Sequence, residues 1–174
     1  MSMLHIAGNS SSSSITNIDE PCISPNAVDL RVQKIFRLEP TLFVIDEEQK
    51  IHREKKECVV QEDGYWTLNP GTYEVLFDHN IKVGEGEAGW VITRSTLNRN
   101  GVFITSGLYD SGYDGPMMGA LHVNGGPMSI KPGTRIGQYL SFRAQNLHLY
   151  SGSYGFDEQG NPRSEQKILE NAIV

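Results

Sequence analysis

The residues best suited to chemistry stand in one stretch, RSTLNRNGVFITSGLYDSGYDG, at positions 94–115. Arg94 and Arg99 bracket a short polar segment that starts at Ser95. The spacing predicts a helix over residues 95–100, capped by Ser95 and ended by Gly101 in the left-handed position. A helix N-terminus carries free N–H groups and a partial positive charge, and guanidinium groups match phosphate oxygens, so this segment suits an anion. Asp110 and Tyr113 follow in a glycine-flanked turn. There the aspartate can serve as general base toward a water, and the tyrosine as a platform for a sugar. A second stretch, KPGTRIGQYL at 131–140, carries Arg135 and Gln138, whose amide can donate to phosphate. Together these pieces read as a phosphate site, a carboxylate and a sugar-facing ring. Taken singly, each is better read as a capped surface helix, a β-turn or a polar hairpin.

Short strands must position these groups. Val28, Leu30 and Val32 alternate with polar neighbours, which predicts a strand over 26–38. Further strands are expected at 41–46, 58–60, 65–68, 72–77, 88–93, 102–105, 117–123, 128–130, 136–142 and 147–150. The charged segment 47–56 reads as a solvated hairpin tip. Turn chemistry separates the runs at Asn69-Pro70-Gly71, Asn124-Gly125-Gly126-Pro127 and Lys131-Pro132-Gly133. Many short strands without an alternating helix pattern predict an all-β sandwich or barrel. A second helix is expected over 164–173, with Ile168, Leu169, Ala172 and Ile173 as its apolar stripe.

The chain has 174 residues, 38% of them apolar, which suits one domain with a real core. A formal charge of −6 argues against a nucleic-acid surface, although local arginines can still hold a small anion. No apolar run approaches the roughly 20 residues of a membrane span, and the first residues lack the pattern of a signal peptide. Two cysteines without a CxxC spacing fit a reducing, cytoplasmic setting. The H-x-E and P-C-x-x-C pattern of zinc nucleobase deaminases is absent. The serine run at 10–14 reads as a flexible loop or a disordered patch.

In this order and spacing the motifs resemble those of the dUTPase and dCTP deaminase superfamily, over roughly residues 24–160. PNAVDLR (25–31) is similar to the first motif, with Asp29 in its acidic position. RSTLNR (94–99) is similar to the second, in its deaminase form, and TSGLYDSGYDG (105–115) to the third. PGTRIGQ (132–138) resembles the fourth, and SGSYGF (151–156) the glycine-rich C-terminal lid. The chain departs from the pattern at two points. The glutamate that moves protons in dCTP deaminases is replaced within Gly119-Ala120-Leu121. Ser151 stands where the lid of dUTPases usually starts with an arginine, for which Arg163, or the charge of Arg94, Arg99 and Arg135, is a candidate substitute.

The resemblance implies a distorted jelly-roll β-barrel with one short internal helix and a C-terminal helix. It divides the chain into an arm (1–23), a barrel (24–150) and a lid with helix (151–174). It implies a homotrimer acting on a deoxypyrimidine nucleoside triphosphate with Mg²⁺, converting dUTP to dUMP and pyrophosphate. Asp110 would activate the water. Arg94, Ser95, Arg99 and Gln138 would hold the phosphates. Backbone groups of Thr105, Gly107, Leu108 and Tyr109 would read the base, Tyr113 would pack on the deoxyribose, and Phe156 would close over the base. Asp29 would stand behind the waters of the metal or form a structural ion pair with Arg31 or another arginine. Other readings of the same residues are a dCTP deaminase, alone or coupled to hydrolysis, a diphosphatase for a modified pyrimidine, and a non-catalytic nucleotide-binding regulator.

Overall fold

The computed structural model describes residues 2–171. Its strands are β1 (Met3–Leu4), β2 (Ser14–Ile15), β3 (Val28–Leu38), β4 (Val44–Ile45), β5 (Lys50–Ile51), β6 (Lys55–Glu57) and β7 (Trp66–Leu68). They continue with β8 (Gly71–Lys82), β9 (Glu87–Thr93), β10 (Val102–Thr105), β11 (Asp114–Val123), β12 (Met128–Ile130) and β13 (Arg135–Arg143). The helices are α1 (Ser95–Arg99), α2 (Ser164–Asn171) and a 3-10 turn at Glu20–Cys22. The architecture is all-β, as the pattern of short alternating runs predicts.

The main sheet is antiparallel and runs β1-β13-β3-β8-β11-β10, with β9 on β13, β6 on β3 and β2 on β8. Its two ends meet. Thr93 on β9 exchanges hydrogen bonds with the backbone of Ile104 on β10, at 3.1 and 2.6 Å. Gly89 and Tyr109 then pair backbone to backbone at 3.1 and 2.8 Å. This seam curls the sheet into a barrel, and closing a sheet removes its free edges. The interior is filled by alternate side chains: Val28, Leu30, Val32 and Ile35 from β3, Val75, Phe77 and Ile81 from β8, Leu121 and Val123 from β11, and Ile136 and Tyr139 from β13.

Several expectations change. β8 runs on to Lys82 because His79 is buried against β3, where it accepts a hydrogen bond from the Arg31 N–H. Residues 58–60 are not a strand. The neighbouring β6 pairs with β3 instead, and its Lys55 lies over the ring of Phe36. The strand expected at 41–46 is only Val44–Ile45. The segment 47–56, read as a hairpin tip, instead holds β5 and part of β6. The turn of the β4–β5 pair lies at 46–49, where the Asp46 carboxylate accepts the backbone N–H groups of Glu48 and Gln49. Residues 147–150 are irregular. Gly101 takes the left-handed conformation after α1, φ 71°, as expected. However, the N-cap is Arg94, so Ser95 is already in the first turn and makes no cap. Ile168 and Leu169 lie on α2, whose side chains from residue 168 onward fall outside the description, as do Ala172 and Ile173.

The serine run is anchored rather than loose. The buried Glu87 carboxylate accepts hydrogen bonds from the hydroxyls of Ser11, Ser12 and Ser13 and from the Ser12 N–H, at 2.6 to 3.0 Å. A buried charge needs such donors, and small hydroxyl side chains on successive residues converge on it.

Candidate functional site

Asp29 organises the first group of predicted residues. It is 1% exposed on β3. Its Oδ1 accepts from Ser24 Oγ and Gln138 Nε2 at 3.1 and 3.0 Å. Its Oδ2 pairs with Arg94 and Arg135 at 3.2 and 3.3 Å. Residues three apart on a regular strand face opposite ways. The irregular register between Arg135 and Gly137 breaks that alternation and lets Arg135 and Gln138 both reach Asp29. Arg31 pairs elsewhere, with Asp19 at 2.6 Å. Of the two ion-pair partners considered for Asp29, the structure therefore selects another arginine. Ser95 and Arg99 project from α1 and are exposed.

Three hydrogen bonds and the Arg94 ion pair engage both oxygens of Asp29, so cationic side chains already balance its charge. Among the described residues no three His, Cys, Asp or Glu side chains cluster to hold a metal. The residues present therefore do not build a cage for a resident Mg²⁺.

The second group surrounds a cavity of about 440 Å³ beside the barrel seam. It is lined by Gly107, Leu108, Tyr109 and Tyr113, by Met118, Gly119 and Ala120 of β11, by Tyr73 and Glu74 of the adjacent β8, and by Leu38 and His52. β10 ends at Thr105, opposite Ala120, so β11 loses its partner beyond that point. Two phenols take over the exposed strand edge. The Tyr109 hydroxyl donates to the Met118 carbonyl and accepts from the Met118 N–H, both at 3.0 Å. The Tyr113 hydroxyl donates to the Pro116 carbonyl at 3.0 Å. Burial pushes both phenols well above the ordinary tyrosine range, so they remain protonated donors. Their rings meet edge to face at 5.5 Å. Tyr109 is thus a buried wall residue, with its backbone N–H and C=O committed to Gly89. Gly107 and Leu108 are exposed. The exposed Thr105 contacts His122 through its hydroxyl, 3.1 Å from Nε2.

Asp110 is exposed between two fixed neighbours. Tyr109 is bridged to Gly89 on one side. On the other, Ser111 is buried and donates to the Glu87 carbonyl at 2.6 Å.

The C-terminal segment folds back on its own barrel. Tyr150, Tyr154 and Gln166 line the cavity, whereas Phe156 does not. The Phe156 N–H bonds the Asp114 carbonyl at 2.7 Å. A Cβ at Gly155 would lie 2.2 Å from that carbonyl, and φ there is +76°, so the segment docks through a residue that only glycine accommodates. Arg163 donates to the carbonyls of Phe156 and Gly152 and stacks on Tyr150 at 5.6 Å. It ties down the segment that follows Ser151. Sequence reasoning missed Tyr150, Tyr154, His52 and Glu74. His52, Glu74 and Tyr150 come from stretches read as scaffold and Tyr154 from the segment read as the lid, and only the folded chain brings them to the cavity.

The two groups occupy opposite ends of β9. Gly89 bridges Tyr109, whereas Arg94, five residues on, pairs with Asp29. At about 3.3 Å per residue the separation is roughly 17 Å. One chain holds an arginine–glutamine cluster and a tyrosine cavity, but does not bring them into contact.

The chain matches the dCTP deaminase-like family over residues 4–144. It belongs to the dUTPase and dCTP deaminase superfamily. It is 31% identical, over 80% of its length and 91% of the relative's, to a protein of Methanopyrus kandleri named probable deoxyuridine 5'-triphosphate nucleotidohydrolase. It is also 31% identical, over 86% of its length and 97% of the relative's, to the deoxyuridine 5'-triphosphate nucleotidohydrolase of Methanocaldococcus jannaschii. In fold it is similar to the 2'-deoxycytidine 5'-triphosphate deaminase of Agrobacterium tumefaciens, with a TM-score of 0.57 at 15% identity. That match covers 74% of this chain and spans 43% of the deaminase chain. The superfamily motifs thus fall on the two groups: the first, second and fourth around Asp29, the third around the cavity.

Proposed function

We propose that the protein is a dUTP diphosphatase, which converts dUTP to dUMP and pyrophosphate. The observation that carries this reading is Ala120 in the cavity wall beside Tyr113. In the family's deaminases the acid at this position moves protons between water and the ring, and alanine has none to give. Hydrolysis at phosphorus needs only a placed water and charge stabilisation. The names of the relatives point to the same reaction.

In this reading Tyr113 carries the deoxyribose and Gly107 and Leu108 present backbone groups to the base. Asp110 orients a water and takes its proton as the oxygen attacks the α-phosphorus. The bond from that phosphorus to the bridging oxygen breaks, and pyrophosphate leaves. Arg94, Arg99, Arg135 and Gln138 offset the phosphate charge, with the Ser95 end of α1. Because Gly89, which anchors the Asp110 turn, and Arg94 of the phosphate cluster are roughly 17 Å apart along the strand, the complete site in this reading takes its phosphate-holding residues from a second copy, in a homotrimer. Mg²⁺ arrives on the triphosphate as part of the substrate, since magnesium borrows ligands from phosphates and water.

The test is incubation with Mg²⁺ and each of dUTP, dCTP, dTTP, dATP, dGTP and UTP, followed by anion-exchange chromatography. Formation of dUMP and pyrophosphate is expected from dUTP. No turnover of any of them would overturn the reading. One observation supports dCTP deamination as a second reading: Glu74 stands opposite Ala120 across the β8–β11 ladder. Ammonia release from dCTP would favour it.

A further inference from the structure

Glu74 enters the cavity from a strand that none of the superfamily motifs covers. It sits on β8 directly across from Ala120 in the antiparallel register, and both residues line the cavity. Directly paired residues have Cβ atoms about 4.5–5.5 Å apart. Side chains so paired stand side by side on one face of the sheet, and both reach the cavity. The Glu74 Oε1 pairs with Lys55 at 2.6 Å, and Lys55 is 6% exposed with its ammonium over the Phe36 ring. Lys55 balances the charge and fixes the side chain. Glu74 itself is 23% exposed.

The rest of this wall has little left to offer a base. The Met118 N–H and C=O are occupied by the Tyr109 hydroxyl, and the Pro116 carbonyl by that of Tyr113. Met118 and Ala120 are apolar. Among the described residues lining the cavity Glu74 is the one carboxylate, and a carboxylate only accepts hydrogen bonds.

Resting on the dUTP reading above, we infer that Glu74 is a specificity-determining residue that accepts a hydrogen bond from the N3–H of the pyrimidine. Uracil has a proton at N3. Cytosine has a lone pair there, which faces the carboxylate unfavourably. A site built to bond a ring N–H rejects the analogue lacking it, because its own polar group is left unpaired. Recognition is thus divided between backbone at Gly107 and Leu108 and a side chain at Glu74.

The experiment compares kcat/KM for dUTP and dCTP, with product and ammonia analysis, in the wild-type protein, Glu74→Gln and Glu74→Asp. The wild type is expected to prefer dUTP. Glu74→Gln preserves shape and supplies an N–H that cytosine N3 can accept, so the dUTP/dCTP ratio should shift toward dCTP by about tenfold or more. Glu74→Asp keeps the charge but withdraws it by one methylene. It should lower kcat/KM for dUTP while dCTP stays rejected, and it serves if the glutamine variant does not fold. A purely structural role would lower both substrates together and leave the ratio unmoved. An unmoved ratio with dUTP still hydrolysed overturns the inference and spares the diphosphatase reading. So does a wild-type preference for dCTP over dUTP when both yield monophosphate and pyrophosphate. Ammonia from dCTP that disappears in Glu74→Gln overturns it by making Glu74 a deaminase acid. Absence of turnover with every nucleotide overturns both.

Discussion

The Arg94 guanidinium lies 3.2 Å from the Asp29 carboxylate, which also holds Arg135 and Gln138. A motif arginine is thereby fixed through a buried anion on another strand. Removing that anion leaves two guanidinium groups close together without their counter-charge. Both guanidinium groups are more than a third exposed, so Asp29→Ala is expected to destabilise the fold by about 1–3 kcal/mol, the usual cost of lost hydrogen bonds to a charged group. Urea denaturation measures it, and a loss below about 1 kcal/mol would mean that solvent replaces Asp29 without difficulty.

Asp110 is exposed, and its turn is held by Tyr109 and Ser111 rather than by its own carboxylate. Asp110→Asn should leave stability within about 0.5 kcal/mol of the parent. Binding of a non-hydrolysable dUTP analogue should persist, with turnover lowered at least about 100-fold. Retained turnover would remove the general-base assignment.

Tyr113 has two separable features, a ring in the cavity wall and a hydroxyl on the Pro116 carbonyl. Tyr113→Phe removes only the second. It should cost about 1–3 kcal/mol through the uncapped carbonyl while still excluding UTP. Tyr113→Ala opens the space and should admit UTP. Equal dUTP/UTP ratios in the two variants would place the ribose elsewhere.

Glu87 links the N-terminal arm to the turn bearing Asp110. Burial pushes its carboxyl up, but the hydrogen bonds from Ser13, Ser12 and Ser11 outweigh burial and hold it below the ordinary value. A depressed folded pKa contributes stability that is complete above the unfolded value of about 4.3 and is lost as pH falls through the folded one. Between about pH 6 and about pH 3 the melting temperature of the wild type should therefore drop further than that of Glu87→Gln. Parallel acid profiles would show that the serine cluster does not favour the charged form.

Much of the fold was legible because its signal is local. Alternation along β3, the β10 run and the turn at residues 124–127 each follow from neighbouring residues. So does Gly101 after α1, since only a residue without a Cβ takes φ 71° at no cost. Expectations failed where a distant partner decides the outcome. The Ser10–Ser14 run reads as flexible until the buried carboxylate of Glu87 lies beside it. Residues 58–60 read as a strand, yet the adjacent Lys55–Glu57 takes the edge of β3.

The site divides in the same way. By itself the sequence determined the all-β class, the superfamily and its motif residues, because motif chemistry resides in residue types at short spacing. Only the tertiary structure decided that Asp29 binds Arg94 and Arg135 rather than Arg31, because a bulge in β13 turns Arg135 to that side. The same level of structure set Tyr109 as a cap on Met118 and placed Glu74 opposite Ala120. Both depend on strand register and on where β10 leaves β11, and register is a property of paired strands that no single segment contains.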